Sequence, residues 1–151
     1  MIRKDKLGFI IVLLSLLVLL HGCAVNRATA TVDQTTDLSS LKVLYVKKYS
    51  EDTRDTNVVI KDKLVEMGFH VSETETEVDA IVTYVDKWFW DFTFYLLELT
   101  ITLRDPKTDF PLASGNSYHT SLSRKSPEGM VGEVLTNIFF NNQKQGVDNE
   151  K

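Results

Sequence analysis

Hydrophobic and polar positions divide this chain into an apolar leader, a polar stretch and a region of alternating periods. Leu7 to Leu20 is an almost unbroken apolar run behind Arg3, Lys4 and Lys6. Ala24 to about Leu38 (AVNRATATVDQTTDL) is rich in Thr, Ala and Asp. Such a stretch buries too little surface to offset its ordering entropy. Residues 23–38 therefore read as a flexible tether. Periodic patterning begins after it and defines one domain, residues 39–142. Leu41–Tyr49 contains Val43, Leu44, Tyr45 and Val46 in a row, a central strand. Asp55 or Thr56 can cap a helix that runs to about Met67, with Gly68 as its stop. Ile60, Leu64 and Met67 form its core stripe. Strands follow over Phe69–Glu73, Asp79–Trp88, Thr93–Arg104 and Leu112–Ser121. In Thr93–Arg104, Tyr95, Leu97, Leu99, Ile101 and Leu103 share one face, and Phe94, Leu96, Glu98, Thr100, Thr102 and Arg104 the other. Ser126-Pro127 opens a last helix with serine as cap and proline at its first position. Val131, Val134, Leu135, Ile138 and Phe139 form its apolar face. The fold class is α+β, in the order β-α-β-β-β-β-α. This is a two-layer sandwich, a mostly antiparallel sheet with two helices on one face. Residues 143–151 are polar and expected to be a disordered tail.

The leader reads as a secretory signal over residues 1–22: a basic head, an apolar stretch and a small residue, Gly22, before Cys23. A membrane span needs about 20 apolar residues, which the run does not supply. Plain secretion is the nearer rival, although Leu20 and His21 suit its cleavage pattern poorly. Leu20-His21-Gly22-Cys23 resembles the lipobox of bacterial lipoproteins, departing from it at His21. The resemblance implies cleavage between Gly22 and Cys23 and lipidation of Cys23, hence a membrane partner through a lipid anchor. Ala24 in place of aspartate favours the outer membrane by the same analogy. Cys23 is the only cysteine, so a lipidated mature chain would carry no thiol, which suits an oxidising compartment.

Charge narrows the partners. Losing Arg3, Lys4, Lys6 and Asp5 with residues 1–22 leaves 14 basic and 20 acidic residues, a formal net charge of −6. Nucleic acid calls for a basic face, and a polybasic grip on anionic lipid is equally unsupported.

Trp88-Phe89-Trp90-Asp91-Phe92-Thr93-Phe94-Tyr95 is the second informative segment, with six aromatic residues in eight and both tryptophans of the chain. Neighbouring strand residues point to opposite faces, so Trp88, Phe89 and Trp90 cannot all enter one layer. Three roles stay open: core, contact with a partner through Trp88, Phe89, Trp90 and Phe92, or insertion into a membrane interface. Val82-Thr83-Tyr84, Trp90-Asp91, Tyr95-Leu96, Leu103-Arg104-Asp105 and Tyr118-His119 resemble a series found in a family of small bacterial envelope lipoproteins without assigned function. The Asp105–Asp109 turn and the extra aromatics near Trp88 depart from it. Strand one, the helix ending at Gly68-Phe69 and the later strands resemble, more distantly, the α/β lipoproteins of curli and exopolysaccharide export. That resemblance implies a fold and ring-like self-association.

Candidates for chemistry are sparse. His70 and His119 have no metal-ligand spacing, and His119 reads as a surface or edge residue. Ser114-Gly115-Asn116-Ser117 lacks the strand-turn-helix setting of a nucleophile elbow. Asp86, Asp91 and Glu98 could meet across two strands as acid/base carboxylates, although charged residues on an open sheet face are commoner. No cofactor or metal is implied. Val58 and Val65 lie off the core stripe of the first helix, either under a loop or as an oligomer contact. The pattern points to a non-enzymatic accessory or structural lipoprotein of the outer membrane that presents a surface to an envelope protein or to itself. A glycan or small-ligand binder is the alternative.

Overall fold

The computed structural model describes residues 26–141. The signal segment, Gly22, Cys23 and residues 142–151 lie outside the described residues. One six-stranded sheet, in the order β1-β6-β5-β4-β2-β3, carries two α-helices on one face. The strands are β1 (Asn26–Val32), β2 (Val43–Val46), β3 (His70–Ser72), β4 (Ala80–Asp91), β5 (Thr93–Arg104) and β6 (Pro111–His119); the helices are α1 (Thr56–Glu66) and α2 (Pro127–Thr136). The α+β, two-layer architecture read from the pattern is the observed one. The β1–β6, β6–β5 and β5–β4 pairs are antiparallel, and β2 runs parallel to both β3 and β4.

The tether reading is corrected at its centre. Asn26–Val32 pairs along its whole length with Val32 opposite Ala113 and Asn26 opposite His119. Ala28, Ala30 and Val32 are half-buried while Asn26, Arg27, Thr29 and Thr31 are exposed. An edge strand of this kind needs only small residues on its inner face, so its alternation is too weak to stand out as apolar period. Leu38, in a short 3₁₀ turn, is also buried in the core.

α1 forms where expected, but its cap differs. Asp55, at the N-cap with φ 53°, makes no side-chain cap bond. Asp52 does the capping: its carboxylate accepts from the backbone N–H of Arg54, Thr56 and Asn57 at 3.0–3.1 Å and from the Tyr84 hydroxyl at 2.5 Å. At the other end Gly68 takes φ 95°. The N–H of Phe69 reaches the Leu64 carbonyl and that of Gly68 reaches Val65, both at 3.0 Å. This double closure needs a left-handed residue, which glycine adopts without strain. In α2, the Ser126 hydroxyl accepts from the Gly129 N–H, and Pro127 occupies the first turn.

The core lies between the helices and one sheet face. Leu44, Ile60, Leu99, Ile101, Val134 and Leu135 are fully buried there. α2 sits close to β6 because Gly115 lacks a side chain; a Cβ there would meet Val134 Cγ1 at 2.8 Å. The other sheet face carries Glu98, Thr100, Thr102 and Arg104, as the alternation of β5 implied.

Candidate functional site

β4 and β5 outrun the rest of the sheet. β2 pairs with β4 only from Ala80 to Val82, and β6 pairs with β5 only from Glu98 onward. Trp88 to Asp91 and Thr93 to Leu96 therefore form a two-stranded arm paired only with itself. Its tip is Phe92, 92% exposed and held at φ 59°. A bulky side chain in the left-handed region is a strained outlier, and such strain concentrates at functional positions.

A β-bulge decides which way the arm's side chains point. Lys87 pairs with Glu98 but Trp88 pairs with Leu96, so Leu97 is the extra residue. The insertion reverses the alternation of β5 beyond that point. The expected face of Tyr95, Leu97, Leu99, Ile101 and Leu103 thus holds only from Leu99 onward. In the arm, Phe94 and Leu96 share the helix-side face with Trp90 and Trp88. Tyr95 shares the open face with Phe89, their rings 6.0 Å apart and edge to face.

The proposed contact residues separate accordingly. Phe89 and Trp90 are 52% and 62% exposed, and Phe94, not foreseen as a contact, is 57% exposed. Trp88 instead belongs to the base of the arm. It packs against the core, and its indole N–H donates to Asp86 at 2.8 Å. Asp86 also accepts from the Tyr49 hydroxyl at 2.6 Å and the Thr56 hydroxyl at 2.5 Å. One carboxylate thereby ties the arm to the loop after β2 and to the start of α1. The hydrogen bond to Asp86, then burial, pushes the Tyr49 phenol up to about 12. The Arg54 guanidinium lies over Trp88 and Phe94, 4.8 and 4.3 Å from the ring centroids. On the opposite face Arg124 covers Tyr95 at 4.4 Å. It also donates to the Asp91 carbonyl at 2.8 Å, to its carboxylate at 3.3 Å and to the Thr93 hydroxyl at 2.7 Å. The arm is thus braced at its base by Asp86 and Arg54 on one face and beside its tip by Arg124 on the other, with the Phe92 ring left bare.

The three carboxylates considered for acid/base work are not brought together. Asp86 faces the helices; Asp91 and Glu98 face the other way and stand at opposite ends of the arm. Each is engaged, Glu98 by Lys87 at 2.7 Å and Asn116 at 3.0 Å. The Lys87 hydrogen bond holds the Glu98 carboxyl below its ordinary value, against the effect of burial. Among the described residues no group of His, Cys, Asp and Glu is placed to hold a metal ion.

His119, expected at the surface, is buried. Its Nδ1 lies 2.9 Å from the Ser123 carbonyl and its Nε2 lies 2.9 Å from Glu133 of α2. The same carboxylate accepts from the Ser117 hydroxyl at 2.6 Å and from Lys125 at 2.9 Å. Burial pushes the Glu133 carboxyl up, but Ser117, His119 and Lys125 together outweigh it and hold it at about 2. This cluster fastens α2 to β6. His70 is exposed, and Val58 and Val65 on α1 are 45% and 59% exposed.

On the open sheet face, Lys47, Thr83, Thr102, Arg104 and Asp109 line a shallow groove of about 410 Å³. Among the described residues no helix is long and apolar enough to cross a membrane.

No protein-family model matches the chain, and no curated protein matches it. Solved structures do. A PelC dodecamer from Paraburkholderia phytofirmans aligns at TM-score 0.55 and 12% identity over 76% of this chain and 98% of that one. A single-substitution variant of the same dodecamer gives TM-score 0.57 and 13% identity over 75% and 96%. At this identity the likeness concerns the fold: this chain is similar to a PelC protomer in the arrangement of its strands and helices.

Proposed function

We propose that this chain is a non-enzymatic accessory lipoprotein of the bacterial envelope, held in the outer membrane through lipid on Cys23, with the aromatic arm as its contact surface. The observation that carries this reading is the arm itself. Phe89, Trp90, Phe92 and Phe94 stand exposed beyond the sheet, and their support is built from Asp86, Arg54 and Arg124. Exposed aromatics so held are a recognised mark of interaction surfaces. The fold shared with protomers of PelC dodecamers supports self-association as a further property, with Val58 and Val65 as its candidate contacts.

Two measurements on the full-length chain in cells test this. An alkynyl fatty acid should label the wild type and not Cys23→Ser, and the labelled protein should fractionate with outer membranes. Absence of label removes the anchor. A diazirine side chain at position 92 should form adducts with a lipid or a protein; recovery of unreacted protein alone removes the contact role of the arm.

The groove of the open face, where Lys47, Thr83 and Arg104 stand beside Ile81 and Val85, favours a second reading, a glycan or small-ligand binder. Calorimetric titration with envelope glycan fragments would show heat that Arg104→Ala abolishes; no heat across a broad panel counts against it.

A further inference from the structure

Strand pairing puts the start of β1 and the aromatic arm at the same end of the sheet. Asn26 lies opposite His119, the last residue of β6. Its neighbour Tyr118 lies opposite Glu98 of β5, and Glu98 lies opposite Lys87 of β4. The arm begins at the next residue, Trp88. From that level to Phe92 the arm projects about 16 Å at about 3.3 Å per residue. Cys23 precedes Asn26 by three residues, a link that spans at most about 10 Å even when fully extended. Twist of about 20–25° per strand step splays the two ends across three steps but leaves them on the same side. A membrane that holds lipid on Cys23 is therefore within reach of the arm, and the link is too short to carry the sheet far from it.

We infer that Trp90, Phe92 and Phe94 seat in the interfacial layer of the bilayer that holds the lipid on Cys23, fixing the domain at a second point. The inference rests on the lipid-anchor reading and names the contact that the arm makes. Three further features favour a bilayer over a protein. The exposed rings surround the ribbon: Trp90 and Phe94 on one face, Phe89 on the other, Phe92 at the tip. A fluid medium can meet such a surface all round, whereas a protein pocket meets one side. Tryptophan and other aromatics are the residues that favour the membrane interface. Arg54 lies on the ring faces of Trp88 and Phe94 behind the exposed tip, where a guanidinium can meet phosphate headgroups while its stem stays on apolar surface. Apolar insertion, not charge, drives the contact, because the chain beyond Gly22 carries a formal net charge of −6.

The test uses the full-length protein in phosphatidylcholine vesicles, with ordinary or brominated acyl chains as the probe. Trp88→Phe leaves Trp90 as the sole tryptophan, since the chain has two, and excitation beyond the absorption of tyrosine reads it alone. Its emission should shift to the blue on reconstitution and be strongly quenched by brominated lipid. It should be quenched more than Trp88 is in Trp90→Phe, and adding Phe92→Ser should reduce the quenching. If Trp88→Phe does not fold, the wild type with both tryptophans should show quenching of the same sign. Equal Trp90 emission in ordinary and brominated vesicles overturns the inference. So does a discrete protein adduct from position 92 with Trp90 unquenched. The mass of the same sample reads the lipid on Cys23 separately. If lipid is absent, that sole cysteine is coupled to a maleimide phospholipid. Quenching in the coupled protein then upholds the docking of the arm while the natural anchor fails.

Discussion

At the residue scale, two carboxylates do structural work that their sequence context does not announce. Glu133 accepts from Ser117, His119 and Lys125, and its carboxyl is lowered from 4.5 to about 2. A group depressed on folding contributes stability above its unfolded value and loses it as pH falls through the folded one. The contribution is therefore complete above about pH 4.5 and disappears toward pH 2, at most about 3 kcal/mol in all. Urea denaturation at pH 6 should show Glu133→Gln destabilised, and the gap from wild type should close as pH falls to 3 and below. A constant gap would refute the linkage. Asp52 combines a helix cap with the buried Tyr84 hydroxyl. Asp52→Ala should cost about 2–3 kcal/mol, a lost cap plus an unsatisfied buried donor, read as a lowered denaturation midpoint. Tyr84→Phe in the Asp52→Ala background should recover part of it.

At the element scale, β6 and the arm carry the sharpest constraints. A methyl at position 115 would press on Val134 Cγ1 at 2.8 Å, so Gly115→Ala should destabilise by about 1–3 kcal/mol through overpacking. Thermal unfolding measures it directly. Phe92 sits at φ 59° with its ring in solvent. Phe92→Gly should keep or raise stability, by up to about 1 kcal/mol, because glycine enters the left-handed region without strain. The same variant should weaken contact at the arm. A fall in thermal stability would show that the ring is held by the fold rather than kept for a partner.

At the scale of the whole molecule, the arm and α1 offer separate contact surfaces. The arm leaves the sheet at the end where the chain enters it, and α1 presents Val58 and Val65 to solvent. Self-association through α1 predicts that Val58→Glu with Val65→Glu shifts the sedimentation of the full-length protein in detergent toward the monomer. Each position is about half exposed, so the fold should tolerate the charges within about 0.5 kcal/mol per site. Unchanged sedimentation of an oligomer would move the contact elsewhere, the edge strand β1 being the next candidate because its outer hydrogen-bonding groups are unpaired within the sheet.

Periodicity alone determined most of the elements. Alternation placed β5 at Thr93–Arg104, Gly68 closed α1, and Ser126-Pro127 opened α2, because these signals act within a few residues of chain. Tertiary structure decided the rest. β1 was illegible because its small residues acquire meaning only beside β6. The cap of α1 was misplaced because Asp52 reaches it through a loop and is held there by Tyr84, distant in sequence. His119 became a core residue through Glu133 on another element. The aromatic segment was legible as a cluster, but its division was not. A single extra residue, Leu97, reverses the faces of the arm, and the lengths of β2 and β6 determine how much of it stands free. Alternation is a local property, whereas a bulge, an edge and a projecting end depend on which strand lies alongside.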